Sequence, residues 1–256
     1  MNIKRHSRTS ASPSQIKVAA VQMLVEDDPN VNLKNILSFM ERAAAKKSDI
    51  VCFPETCLVP DERNTMPIKK HLQAIQSKCK ALSIWCILGS YLRDRGMIRN
   101  LAFLFDRKGQ LIYRYGKVHL WKSEIENGVV PGKFSRAIKT ELGTFGIIIC
   151  FDFAFPEFVK KLSMQGAEII FCPSFMLDYE GWEQMLRMMP VIRAFEKTSY
   201  FVHCDAVTPD SRTAAMSYIA EPKKILAALE KKEGLIFATL DLKKIRRSKD
   251  EFSILR

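Results

Sequence analysis

The sequence predicts an α/β protein whose two similar halves pack sheet to sheet. Short apolar runs rich in Val, Ile and Phe, as buried strands are, alternate with amphipathic segments at helical spacing. That order of elements occurs in both halves of the chain. No stretch rich in Pro, Gly or Ser interrupts Ile16–Arg256, so residues 15–256 read as a single domain.

In the first half, Ile16–Met23 alternates and then runs apolar, as a strand does. Asn30–Lys47 sets Val31, Leu33, Ile36, Leu37, Met40 and Ala43 at helical spacing. Asp49–Phe53 is a second strand and ends at Pro54-Glu55-Thr56. Pro67–Leu82 is an amphipathic helix, followed by a strand over Ile84–Tyr91. Leu101–Phe105 and Gln110–Tyr115 flank Asp106-Arg107-Lys108-Gly109 like a hairpin, with Gly109 free to take a positive φ.

The second half repeats the pattern. A strand over Gly146–Cys150 leads to a helix from Pro156 to Gln165, with Pro tolerated in the first turn. A strand over Glu168–Cys172 leads to a helix from Gly181 to Thr198. Strands follow at Tyr200–Cys204, Ser217–Ile219 and Gly234–Leu240.

Composition excludes several classes of function. At 256 residues and 47% hydrophobic, the chain is long and apolar enough for a sizeable core and is not a disordered segment. The longest uncharged apolar stretch, Leu142–Phe151, is far too short to span a bilayer, so no membrane association is expected. Residues 1–14 are basic and Ser-rich without an apolar core. They read as a loosely ordered basic tail, with a transit peptide as the alternative.

Seven cysteines in a chain of this size fit a reducing compartment, and a cytoplasmic location is expected. None of them pairs at zinc-finger spacing and the four histidines are scattered, so no metal site is expected. The net charge of +12 is spread over amphipathic segments, with a last cluster at Lys243–Arg247. It lacks an aromatic-interleaved basic motif and reads as a solvated surface without specific nucleic-acid binding. Such a surface still attracts anionic substrates.

Chemistry concentrates at strand ends. Cys150 ends the run Gly146-Ile147-Ile148-Ile149, at the carboxyl edge where α/β sheets place ligands. On position alone it is either a core cysteine or a nucleophile. Glu55 and Lys117 also stand just beyond strands. A thiol needs a base to take its proton, and attack on a carbonyl creates an oxyanion that an ammonium stabilises. Glu55, Lys117 and Cys150 supply those three functions.

There are rivals. Cys172 also ends an apolar strand, Cys204 stands beside Asp205, Cys52 lies within a strand, and His119 offers a Cys–His pair. Trp121, Phe155 and Trp182 are candidate pocket aromatics, and Leu58–Thr65 and Met176–Trp182 candidate pocket loops.

In ordered blocks the chain resembles the nitrilase superfamily, the carbon–nitrogen hydrolases. Val18–Met23 (VAAVQM) is similar to the family's opening strand, Phe53–Thr56 (FPET) to its glutamate motif and Tyr115–Glu124 (YGKVHLWKSE) to its lysine motif. Gly146–Glu157 (GIIICFDFAFPE) resembles its cysteine motif, Arg193–Glu196 (RAFE) the helix that follows, and Met216–Pro222 (MSYIAEP) a late strand and turn.

The resemblance implies a four-layered α-β-β-α sandwich of two mixed sheets, paired as a homodimer or higher homo-oligomer. It implies Glu55 as general base, Lys117 as oxyanion stabiliser, Cys150 as nucleophile and Glu124 as a supporting residue that orients substrate and lysine. The Phe151 backbone N–H completes the oxyanion hole. The implied reaction is cysteine-dependent hydrolysis of a non-peptide carbon–nitrogen bond in a small amide or carbamoyl compound, through a thioester, without metal or cofactor. Nitrile hydrolysis, acyl transfer and a non-catalytic interaction protein are the alternatives. The chain departs from the family pattern at Gly116, Ala154, Lys197 and Ala215, so no substrate branch is assigned.

Overall fold

The computed structural model describes residues 13–251. The expected basic tail, residues 1–14, falls almost entirely outside them. In chain order the first half runs β1 (Gln15–Gln22), α1 (Pro29–Ala45), β2 (Ile50–Cys52), α2 (Lys69–Leu82), β3 (Trp85–Asp94), β4 (Met97–Phe105), β5 (Leu111–Gly116) and α3 (Lys122–Glu126). The second runs β6 (Ile138–Thr140), β7 (Gly143–Ile147), α4 (Pro156–Met164), β8 (Ile169–Pro173), α5 (Trp182–Lys197), β9 (Tyr200–Cys204), β10 (Met216–Glu221), β11 (Lys224–Glu230), β12 (Gly234–Asp241) and α6 (Leu242–Glu251).

The strands form two six-stranded mixed sheets, ordered β12-β1-β2-β3-β4-β5 and β11-β10-β9-β8-β7-β6. Each has three parallel central strands, β1-β2-β3 in one and β7-β8-β9 in the other, with antiparallel strands outside them. The halves thus share one plan. Glu55 lies beyond β2, and Ser174-Phe175 lies at the corresponding place beyond β8.

Alternation sorts β1 between two cores. Val18 and Ala20 pack in the core that also holds Phe145, Ile147, Phe171 and Val202 of the second sheet. Ala19 and Val21 face the opposite way, onto Ile36, Phe39 and Met40 of α1 and Ile75 of α2. Phe158, Val159 and Leu162 of α4 and Leu186 and Ala194 of α5 close the other side. The result is the expected α-β-β-α sandwich. No helix among the described residues is long and apolar enough to cross a membrane.

Local signals explain the helix starts. Pro29 opens α1 and the Asp28 side chain accepts from the Asn30 N–H, as an N-cap does. Gly181 and Thr198, both at positive φ, bracket α5.

Two expectations need correction. The strand expected over residues 146–150 is β7, which ends at Ile147. Cys150 instead opens a 3₁₀ turn through Ala154, at a φ of 46°. The structure also contains β6, β11, α3 and α6, which the periodicity did not reveal. β6 has three residues and α3 five, too few to show a period. β11 has no fully buried residue and α6 has only two apolar residues, Leu242 and Ile245, so neither carries an apolar stripe long enough to read.

One close approach holds the Glu55 loop. A Cβ on Gly89 of β3 would lie 2.5 Å from the Pro54 carbonyl oxygen and 2.6 Å from the Thr56 nitrogen. Gly89→Ala therefore has to displace backbone. We expect it to lower unfolding free energy by about 1–3 kcal/mol, the range for overpacking. An unchanged urea midpoint would contradict this account of the loop.

Candidate active site

Four of the expected residues, Glu55, Lys117, Glu124 and Cys150, line one cavity of about 550 Å³, together with Phe151. Its size suits a small-molecule site. Glu55 and Lys117 arrive from strand ends, Cys150 from the 3₁₀ turn that follows β7, and Glu124 from the short helix α3.

Glu55 sits in the turn after β2. Its N–H donates to the Ser174 carbonyl, and the Phe53 N–H donates to Ile87. Lys117 follows β5; its N–H donates to the Asn100 carbonyl, and its carbonyl accepts from the Gly132 N–H at 2.7 Å. This last bond needs glycine at position 132. A Cβ on Gly132 would lie 2.1 Å from the Gly116 oxygen. A Cβ on Gly116, where the family pattern often has Arg, would lie 3.2 Å from the Gly132 Cα, a tight contact but not a clash.

The Cys150 turn is fixed by Asp152. Its carboxylate, wholly buried, accepts from the Tyr115 hydroxyl at 2.6 Å, the His119 N–H at 2.9 Å and the Ile149 N–H at 3.0 Å. One carboxylate thus ties the cysteine turn to the lysine loop. The left-handed backbone of Cys150 is held against a cost of roughly 1–3 kcal/mol, typical of strained residues at functional sites.

In the centre, Lys117 Nζ lies 2.8 Å from Glu55 Oε1 and 2.7 Å from Glu124 Oε2. All three side chains are at most 4% exposed. Asn100 Nδ2 donates to both carboxylates, at 2.6 Å to Glu55 and 2.7 Å to Glu124. The Tyr91 hydroxyl and the Trp121 N–H donate to Glu124, and the Phe175 N–H donates to Glu55 Oε2 at 2.9 Å.

These surroundings separate the two carboxylates. Burial dominates at Glu55 and raises its pKa despite Lys117 and a hydrogen bond from Cys150. At Glu124 burial also pushes upward, but the Lys117 charge and the bonds from Asn100, Lys117 and Trp121 outweigh it and its pKa is lowered. Burial and the Glu55 charge hold the Cys150 thiol well above its usual range, so it rests protonated. Its sulfur lies 3.3 Å from Met176 Sδ. A protonated thiol beside a carboxyl group of raised pKa is arranged for proton transfer.

The rivals lie elsewhere. Cys52, Cys172 and Cys204 are fully buried, and none of them lines the cavity. His119 places Nδ1 2.8 Å from Asp152 and stacks on Phe155 at 3.6 Å, so both belong to the support of the turn. Trp121 and Trp182 line the cavity, as do residues of the two candidate loops.

Asn100, Tyr91 and the Phe175 N–H escaped the sequence reading. Asn100 and Tyr91 lie inside strands, on β4 and β3, where no local pattern distinguishes a site residue from a buried polar one. Ala215, where the family pattern has Gly, takes a φ of 49°, which explains a preference for Gly there.

Comparisons with known proteins identify the family. The family model for carbon-nitrogen hydrolase matches residues 17–250. The chain belongs to the carbon–nitrogen hydrolase family. Omega-amidase NIT3 of Saccharomyces cerevisiae is 28% identical over 89% of this chain and 87% of its own length. The human deaminated glutathione amidase is 26% identical over 93% of this chain and 81% of its own. The crystal structure of Saccharomyces cerevisiae Nit3, a nitrilase-superfamily member, superposes with a TM-score of 0.85 at 24% identity, covering 94% of this chain and 97% of that one. That likeness shows the shared fold.

The opposite shifts of Glu55 and Glu124 give a stability prediction. A lowered carboxylate pKa contributes stability present above the unfolded value and lost as pH falls through the folded one; a raised pKa does the reverse. Glu124→Gln should therefore lower the melting temperature more than Glu55→Gln at pH 8, and the gap should narrow toward pH 4. Equal losses at pH 8 would contradict the charge assignment.

Proposed function

We propose that this carbon–nitrogen hydrolase is a cysteine-dependent amidase acting on a small amide or carbamoyl compound. The observation that carries the reading is that Cys150 lines the same cavity as a buried Glu55 carboxyl group whose bonds come from Lys117, Asn100 and Phe175. The relatives named as amidases support the choice of bond.

In the proposed mechanism Glu55 takes the Cys150 proton as Sγ attacks the carbonyl carbon. The oxyanion is held by the Lys117 ammonium and the Phe151 backbone N–H. The intermediate collapses, Glu55 gives its proton to the leaving ammonia or amine, and a thioester remains. Glu55 then deprotonates water, which attacks the thioester. Collapse expels the Cys150 sulfur, which recovers the proton from Glu55, and the acid leaves. Glu124 stays ionised throughout and keeps Lys117 charged and oriented. Every step uses side chains, backbone and water.

The amide is favoured over the nitrile by proton economy. An amide gives an oxyanion and one leaving amine, whereas a nitrile gives a thioimidate nitrogen that needs further protonation.

We also propose a cytoplasmic homodimer. Met188 and Phe195, one heptad apart on α5, are 50% and 62% exposed and would give such a pairing an apolar face. Isologous pairing is the commonest way to cover such a face. A monomer by light scattering at micromolar concentration would overturn this.

Cys150→Ala should abolish turnover of small amides while the fold survives, and Glu55→Gln and Lys117→Ala should each lose at least ~10²-fold in kcat. The check is ammonia release from matched short-chain amides and nitriles. Wild-type rates in any of the three variants, or faster nitrile turnover, would refute the mechanism as drawn.

A further inference from the structure

We infer that Asp205 is a positioning residue of the site: its buried carboxylate fixes the Phe175–Met176 peptide, and that peptide sets both Glu55 and Cys150. The inference rests on the reading of Glu55 and Cys150 as the reacting pair.

In the sequence Asp205 stands out only as the neighbour of a rival cysteine. In the structure it follows β9, is wholly buried and does not line the cavity. Its carboxylate is engaged by the main chain. Oδ1 accepts from the Met176 N–H and the Ala206 N–H, both at 2.9 Å, and Oδ2 accepts from the Met216 N–H at 3.0 Å. A carboxylate with three such donors only accepts, which suits its ionised form.

The Met176 N–H belongs to the same planar peptide unit as the Phe175 carbonyl, so fixing one fixes the direction of the other. That carbonyl faces Cys150 Sγ at 4.0 Å. On one side of the unit the Phe175 N–H donates to Glu55 Oε2 at 2.9 Å, and on the other Met176 Sδ lies 3.3 Å from Cys150 Sγ. Asp205 thus reaches both reacting groups through one peptide, without touching the cavity itself.

The hold is braced from several strands. The Asp205 N–H donates to Ser217 Oγ at 2.8 Å, and that hydroxyl donates to Gln22 Oε1 at 2.7 Å. The Ser174 N–H donates to the Cys204 carbonyl at 2.7 Å, and the Ala214 N–H to the Met176 carbonyl at 2.8 Å. Residues of β1 and β10 and the chain beyond β8 and β9 therefore meet around this carboxylate.

The hold also responds to pH. Burial raises the Asp205 carboxyl to about 7 against its three N–H bonds, and the Glu55 charge from the turn after β2 raises it further. The other titratable groups packed there keep one state around neutrality. Burial lowers His203 of β9 to about 4, so it is neutral, and its Nδ1 lies 2.8 Å from the Met216 carbonyl. The Cys52 and Cys172 thiols are pushed up by burial and stay protonated. Ser217 and Gln22 are uncharged. Below neutrality Asp205 therefore takes up a proton and its grip on the peptide weakens.

Amide hydrogen exchange tests the positioning without turnover. In Asp205→Ala the Phe175 amide, which bonds Glu55 and not Asp205, should exchange at least ~10-fold faster than in wild type, together with the Met176 amide. In Ser217→Ala, which removes a partner of the Asp205 N–H but none of its carboxylate, the Phe175 amide should exchange as in wild type. In kinetics with short-chain amides, kcat should fall at least ~10-fold in Asp205→Ala with KM within about threefold, the pattern of lost alignment rather than lost binding. Asp205→Asn can keep both Oδ1 bonds but not the charge, and its kcat should fall between the two. Its acid limb should move to lower pH, because the group titrating near 7 is gone, and with it the negative charge that raises the Glu55 pKa. Should Asp205→Ala not fold, Asp205→Asn carries both measurements. Unchanged Phe175 exchange, a kcat within about twofold of wild type in both variants, a loss confined to KM, or an acid limb unmoved in Asp205→Asn would each overturn the proposal. If no amide is turned over, the amidase reading fails, and exchange at Phe175 still decides on Asp205.

Discussion

The site depends on one buried cation held between two buried carboxylates. Lys117 reaches Glu55 and Glu124 at once, and none of the three is meaningfully exposed. Taking ions out of water is costly, and their attraction repays it only with good geometry and further hydrogen bonds. The trio carries one surplus negative charge, so neutral donors must share it. Asn100 does so by donating to both carboxylates, and Tyr91, Trp121 and Phe175 complete the set. The donors are divided unequally. Glu124 is stabilised as an anion while Glu55 is left with a raised pKa, and that inequality gives the two groups different chemistry.

The architecture supplies these donors because the two halves share one plan and face each other. The turn after β2 and the residues after β8 meet across the sandwich, where the Glu55 N–H donates to Ser174 and the Phe175 N–H returns to the Glu55 carboxylate. The lysine loop joins through Asn100, which binds the Lys117 N–H by its backbone and both carboxylates by its side chain. Asp152 then connects this loop to the cysteine turn. Sheet pairing alone would leave four loops free to drift. These crossed bonds fix them relative to one another, and they are why Cys150 can be kept in a strained backbone.

Much of this was legible in the chain, for physical reasons that differ by residue. Strand ends announce themselves because apolar runs stop at Pro54 and at Cys150, and ionisable residues just beyond such runs stand out. Lys117 stood out only by its place beyond a strand, a weak mark since a lysine in a loop is ordinarily solvated, and Glu124 was legible only as part of a motif resemblance. Asn100 and Tyr91 were not legible at all. Each looks like one more strand residue, and only the pairing of β3 with β4 sets Tyr91 opposite Asn100. The turn at Cys150 was misjudged because a β-branched run carries no mark of where hydrogen bonding ends. Ile148 and Ile149 stay extended in sequence character although β7 stops before them.

Floor and mouth of the cavity obey different constraints. Every charged side chain of the floor is anchored by backbone donors or by a neighbour that is itself anchored, so a change there disturbs several bonds together. The mouth is assembled from loops after β2, β8 and β9, where Asp61, Arg63, Asp210 and Arg212 are paired at the surface and contribute little to stability. Substitutions at the mouth are therefore cheap for the fold but consequential for what can enter. This separation lets one rigid floor perform a single bond cleavage while the rim chooses the molecule.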